Sequence, residues 1–272
     1  MSRNAVGFCV LVCLMLVGLS HPAWSQAPAE KPGKLKNSIG MEFASIPAGK
    51  FLMGSPETEK ERDRDETQHE MTLTQCFRMG VHEVTQAQYE QVMGKNPSEL
   101  KGNTLPVEMV DYEDALEFCK KLSDLPAEKA AGRKYRLPTE AEWEYCCRAG
   151  TSTPFHFGSA LNGKQANCNG NYPYGTTETG PCLGKTSPVG SYHPNAWGLY
   201  DMHGNVWERC QDWYGEYPKT LIKDPKGSSN GVLRVLRGGS WTSGAWYCRA
   251  GKRLPIAPGG LDNCGFRLLL PQ

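Results

Sequence analysis

The sequence predicts a single loop-rich α+β domain. Strand-like alternation and three capped amphipathic helices occupy its first half. From residue 151 onward helical periodicity disappears and glycine, proline, asparagine and aromatic residues dominate, so strands there must be short and joined by long loops. Once the first 25 of the 272 residues are set aside, the remainder suits one large domain.

Those first 25 residues read as a secretory signal: Arg3 precedes an apolar run at residues 6–19, and Ala23, Trp24 and Ser25 supply the cleavage region. The run is shorter than the roughly 18 residues a spanning helix requires, so an exported chain with no transmembrane anchor is expected, in the periplasm or outside the cell. Residues 26–37 (QAPAEKPGKLKN) read as a linker, and the domain is expected over 38–272. Beyond Arg3 in the signal, basic and acidic residues balance, which argues against nucleic acid or an anionic membrane as main partner. A monomer is expected. Beyond the signal lie Cys76, Cys119, Cys146, Cys147, Cys168, Cys182, Cys210, Cys248 and Cys264. In an oxidising compartment such a set usually pairs, an odd total leaving at least one thiol over, and no C-x-x-C spacing points to zinc.

"MEFASIPAGKFLMGS" has two apolar runs broken by Pro47 and Gly49, the pattern of a β-hairpin. Nine charged residues among positions 57–66 predict a solvated loop, and the alternation of His69, Met71 and Leu73 a half-buried strand. Thr85 with Gln88 forms a capping box for a helix that Gly94 ends. Asp111 opens a helix whose Ala115, Phe118, Cys119 and Leu122 share one face. Thr139 with Glu142 caps a third helix, closed by Gly150. Loops as long as those after residue 150 cost ordering entropy, so they imply cysteine bridges, bound ions or a function residing in the loops.

Familiar catalytic signatures are absent: no H-E-x-x-H, no G-x-S-x-G, no P-loop and no protein-kinase elements occur. The histidines share no short helical spacing and are expected to be structural. The stretch "NAWGLYDMHGNVWERCQDWYG" places Asp201, Asn205 and Glu208 within eight residues around Gly204, a set of oxygens that suits either calcium or a polar-capped turn.

"IPAGKFLMGS", "HEVTQAQYEQVM", "PVEMVDYEDALEFCKKL", "YRLPTEAEWEYCCRAG", "SPVGSYHPNAWGLYDMHGNVWE", "RVLRGGSW" and "GFRLLL" occur in that order over about residues 38–270. Together they resemble the formylglycine-generating enzyme (sulfatase-modifying factor) family. The resemblance implies a single compact α+β domain with little regular secondary structure, related to the C-type lectin fold. It implies a calcium site made by Asp201, the carbonyls of Met202, Gly204 and Val206, and Glu208. A second calcium site is matched only by Asn167 and the Cys168 carbonyl, because "GPC" around Pro181 stands where an aspartate belongs.

Enzymes of this family oxidise a cysteine in the C-x-P-x-R motif of an unfolded sulfatase polypeptide to formylglycine, using dioxygen and copper(I) held by two active-loop cysteines. Soft thiolates suit copper(I), and two give the linear coordination it favours. In "RVLRGGSWTSGAWYCRAGKR" the first of these positions is Ser243, and Cys248 falls on the second only if the loop is aligned without gaps. The resemblance therefore implies Cys248 as catalytic thiol and copper ligand and Ser240 as an active-site residue, while the residues alone read Cys248 as a buried or bridged cysteine and allow Gly-Gly-Ser as an ordinary turn. Trp207, Trp241 and Trp246 read as core or as a ligand platform. Two functions follow: an oxidoreductase of the formylglycine-generating type, or a non-catalytic module binding a peptide or glycan ligand on the same fold. A sulfoxide synthase would need an iron-binding helical domain for which this chain has no room.

Overall fold

Local capping chemistry sets the helix starts. In the computed structural model, which describes Met1 and residues 34–217, 221–228, 230–260 and 262–272, the Thr85 hydroxyl accepts from the Gln88 N–H at 3.3 Å. Gln88 Oε1 in turn accepts from the Thr85 N–H at 3.0 Å, opening α1 (Gln86–Met93), which Gly94 ends at φ 73°. Asp111 caps α2 (Tyr112–Asp124), whose Ala115, Phe118, Cys119 and Leu122 are buried as their spacing requires. A short α3 (Pro126–Ala130), with proline in its first turn, follows without a sequence signal strong enough to announce it. The Thr139–Glu142 box opens α4 (Glu140–Arg148), and Ala149 rather than Gly150 takes the left-handed closing position, at φ 44°. The expected signal segment and most of the linker lie outside the described residues. Among those described, no helix is long and apolar enough to cross a membrane.

The strands are β1 (Leu35–Lys36), β2 (Glu42–Ile46), β3 (Gly49–Met53), β4 (His69–Leu73), β5 (Phe77–Gly80), β6 (Trp207–Trp213), β7 (Ile222–Lys223), β8 (Arg234–Arg237), β9 (Leu254–Ile256), β10 (Cys264–Gly265) and β11 (Leu269–Pro271). They form sheets in the orders β1-β2-β5-β11, β10-β6-β8-β9 and β3-β4-β7. Lys31–Gln272 is one compact unit. The α+β, loop-rich class expected from the sequence is what the chain adopts.

Three expectations are corrected. The domain begins before residue 38, because Leu35 already pairs with Phe43. The two runs around Pro47 are strands but not a hairpin: β2 pairs with β1 and β5, whereas β3 pairs with β4, so the Pro47–Ala48 break sends the chain from one sheet to another. The charged stretch 57–66 is not simply solvated. Glu59 and Glu66 turn inward onto Arg249, because a guanidinium with no exposed surface requires carboxylate partners.

Among the described residues the nine cysteines from Cys76 to Cys264 are free thiols. Buried arginine–carboxylate pairs tie distant segments together, Arg267–Glu208 at 2.6 Å, Arg253–Glu140 at 2.6 Å and Arg237–Glu144, while Arg148 joins Glu144 at 2.8 Å within α4. One core packs α1 and α2 against Phe43, Phe266 and Leu268; a second packs Trp143, Cys146 and Cys147 of α4 against Met79, Leu199, Met202 and Val235. A third cluster, Phe155, Leu161, Ala166, Cys168, Tyr174, Ala245 and Cys248, underlies the loops after residue 150.

Candidate functional site

Strand pairing brings the sequence candidates together. β6 and β8 are antiparallel with Glu208 opposite Arg237, so the loop entering β6 lies against the glycine turn leaving β8. The Gly204 N–H donates to the Gly238 carbonyl at 2.7 Å, the Asn205 N–H to the Asn167 carbonyl at 2.8 Å, and the Trp241 N–H to the Asn205 carbonyl at 2.9 Å. The loop is thus laced to both neighbouring segments. Gly204 sits at φ 93°, and a Cβ there would meet the Asn167 carbonyl oxygen at 2.3 Å, so only glycine permits this approach.

Three carboxylates meet beneath the loop. Glu83, just before α1, accepts from the Val206 N–H at 3.2 Å and from Asn205 Nδ2 at 2.8 Å. Burial, and then the negative charges of Asp201 and Glu208, push its carboxyl well above the usual range. Asp201 accepts from the Gly190 N–H at 2.6 Å, and burial raises it to about 6. Glu208 accepts from Arg267 at 2.6 and 2.7 Å and from the Trp143 indole of α4 at 2.8 Å.

Beside the one guanidinium of Arg267, burial and mutual repulsion disfavour ionisation of Glu83 and Asp201, a penalty that a divalent cation would relieve. The donors are hard oxygens, the ligand type calcium takes, so the residues suit such an ion by donor chemistry. As they stand they are satisfied by protein N–H groups, and the Met202 carbonyl accepts from the Cys147 thiol at 3.6 Å. Among the described residues no group of three or more His, Cys, Asp or Glu side chains is arranged around a metal position. At the second predicted site, Asn167 Oδ1 is buried without a hydrogen-bond partner, while its Nδ2 donates to the Lys185 carbonyl at 3.0 Å.

Glu83 and Arg267 are the residues that sequence reasoning missed. Glu83 lies in "VHEV", an acid flanked by buried valines ahead of a capping box, and that mismatch of charge and surroundings was the available signal.

The glycine turn carries the remaining candidates. Ser240 Oγ lies 2.9 Å from Thr242 Oγ1 and 3.2 Å from Ser243 Oγ, and accepts from Asn263 Nδ2 at 2.7 Å. Ser243 Oγ also accepts from the Ser240 N–H at 3.1 Å, so the hydroxyl at the expected thiol position is tied into the turn. Cys248 has no exposed surface and lies beneath Gly239. Its thiol meets that of Cys168, which raises the Cys248 pKa well above normal, burial adding to it. Cys168 is the easier of the two to ionise, because Cys248 hydrogen-bonds to it and the Gly163 N–H assists. His203 bonds the Cys248 carbonyl through Nδ1 at 2.7 Å and accepts the His156 N–H on Nε2 at 3.1 Å. Burial lowers its pKa to about 3, leaving it a neutral core imidazole.

Trp207 is core. Trp246 faces Tyr172 at 6.2 Å and Tyr247 at 5.6 Å, and Lys252 Nζ lies 5.0 Å over the Tyr247 ring. Tyr172 is 57% exposed and Trp246 half-buried, so these rings form an open aromatic ledge beside the serine turn.

A formylglycine-generating enzyme of Streptomyces coelicolor is 38% identical over 173 residues, 60% of this chain and 51% of that protein. One of Mus musculus is 33% identical over 230 residues, 77% of this chain and 59% of that protein. The match thus spans about half to three-fifths of these relatives' length. Among solved structures, Treponema denticola variable protein 1 aligns with a TM-score of 0.75 at 27% identity, covering 89% of this chain and 100% of that one. PvdO from Pseudomonas aeruginosa gives 0.75 at 31% identity, covering 90% and 100%. The model of the sulfatase-modifying factor enzyme 1-like domain matches residues 28–271, and the chain belongs to that family.

Proposed function

We propose that this protein is an exported, monomeric member of its family that binds a peptide or glycan ligand on the ledge of Tyr172, Trp246 and Tyr247, in the periplasm or outside the cell. One observation carries the reading. Formylglycine synthesis requires paired thiols on the active loop, but Ser243 is tied to Ser240 and Cys248 is buried beneath Gly239. The loop thus offers a ligand aromatic faces and the exposed Thr242 hydroxyl, groups that recognise sugars and peptide side chains. Balanced charge supports a partner other than nucleic acid.

Calcium would be held by Glu83, Asp201, Glu208 and the carbonyls of Met202, Gly204 and Val206, with a second ion at Asn167 and the Cys168 carbonyl. When bound, calcium supplies positive charge that fixes the acidic loop beside the ledge.

A second reading rests on Cys168, whose sulfur gives Cys248 the partner that Ser243 cannot. On that reading Cys168 and Cys248 hold copper(I), which when bound supplies the oxygen chemistry, and the Ser240–Ser243 hydroxyls bind a sulfatase cysteine peptide. One experiment separates the two. The purified protein is incubated with copper(I), dioxygen and a C-x-P-x-R peptide. On the binding reading the peptide keeps its thiol, and Trp246→Ala removes the tryptophan fluorescence change caused by a panel of peptides and glycans. Aldehyde formation that disappears in both Cys168→Ser and Cys248→Ser overturns it.

A further inference from the structure

We infer that Cys168 and Cys248 are joined by a disulfide in the mature protein, tying the segment 161–174 to the loop 240–248. The inference rests on the export proposed above, not on what the ledge binds.

Geometry carries it. The two cysteines lie in one apolar cluster, and neither has more than 1% exposed surface. The backbones beside them are fastened together: the Asn169 N–H donates to the Ser243 carbonyl at 2.9 Å, the Ala245 N–H to the Tyr172 carbonyl at 3.0 Å, and Asn169 bridges Gly244. The approach of the sulfurs is therefore fixed by main-chain bonds beside them. Gly239 leaves the room, since a Cβ there would meet Cys248 Sγ at 2.6 Å. The Cys147 thiol, a neighbour of Cys248 across the His203 ring, donates to the Met202 carbonyl, and Cys76 and Cys182 are exposed.

The chemistry is exchange with a disulfide donor, and it must occur before the loops close because both sulfurs end up buried. The Cys168 thiolate attacks one sulfur of the donor, breaking its S–S bond and releasing one donor thiolate. Cys248 then gives its proton to solvent and attacks Cys168 Sγ in the mixed disulfide, releasing the second donor thiolate. The two protein thiols lose two protons and two electrons, and the donor disulfide is reduced to two thiols. The bond closes a loop of about 80 residues and links the segments bearing Tyr172 and Trp246, so it preorganises the ledge. It also withdraws both sulfurs from any metal.

The test maps cysteines in the full chain after it is refolded from denaturant in the presence of glutathione disulfide, then denatured again, alkylated and digested. The expected product is a Cys168–Cys248 linked peptide, about 2 Da lighter than its two parts, that separates on reduction. The bridged protein should melt several degrees above the reduced one, and Cys168→Ala or Cys248→Ala should remove the difference. Both cysteines alkylated at every donor ratio, either one linked to another cysteine, or both found as thiols holding copper overturns the inference. Mapping uses the unaltered chain, so it does not depend on the variants folding. A bridge found without ligand binding retires the binding reading alone; binding without a bridge retires this one.

Discussion

Arg249 carries a full charge with no exposed surface, and carboxylates reached from the 57–66 stretch make that tolerable: Glu66 at 2.8 Å through both oxygens and Glu59 at 2.7 Å. Burial alone would raise the Glu66 pKa, but hydrogen bonds and charge from Arg249 outweigh it and hold the carboxyl below its ordinary value. The pair's contribution is therefore present above the ordinary carboxylate range and lost as pH falls through the folded value. Arg249→Met should cost about 3–5 kcal/mol at pH 7 in urea unfolding, since it strands a buried carboxylate, and less at pH 3. A loss under about 1 kcal/mol at pH 7 would show the pair to be dispensable.

Asp212 behaves in the opposite sense. Burial, and then Glu140, raise its pKa from 3.8 to about 7, so the folded state holds a proton that the unfolded chain has released. Stability should fall between pH 4 and pH 7. Asp212→Asn, which keeps an acceptor for the Glu140 N–H, should gain up to about 4 kcal/mol over the parent at pH 8 and little at pH 4. Equal gains at both pH values would refute the assignment.

At the scale of elements, α4 couples a local signal to the site. Its Thr139–Glu142 box was readable, as was its length, and from it Trp143 reaches Glu208. The left-handed residue was read one position late, because Gly150 is also left-handed and masked the role of Ala149. Ala149→Gly should stabilise the protein by about 0.5–1 kcal/mol by relieving that conformation, and Thr139→Ala should cost about 1 kcal/mol by removing the cap. Thermal unfolding checks both, and a destabilising Ala149→Gly would contradict the geometry. The strands teach a different lesson: β2 and β3 were legible from alternation, but their partners were not. A two-residue break between apolar runs is equally compatible with a hairpin and a change of sheet, and only β5 and β4 decide which forms.

For the whole molecule, the acidic loop joins segments about 120 residues apart in the chain, from Glu83 to Val206. An ion seated there would bind the folded state and not the unfolded chain, so calcium should raise the melting temperature by several degrees and a chelator reverse it. Glu83→Gln should abolish that response while leaving the protein folded. A melting temperature indifferent to calcium and chelator would remove the ion from the proposed function.

Local interactions were open to the sequence. The three caps, the buried face of α2, the alternation of β4 and the motifs marking the family depend on neighbours within a few residues, where chain connectivity fixes the geometry. The glycine turn, Ser243 in place of a thiol and the candidate oxygens at Asp201 and Glu208 were legible for the same reason. Tertiary structure alone decided which distant groups meet: Glu83 beside Asp201, Arg267 on Glu208, Glu66 on Arg249, Tyr172 against Trp246 and Cys168 against Cys248. Each such meeting joins segments that no periodicity relates. The burial that makes each unpaired charge or polar group costly is itself a property of the folded whole.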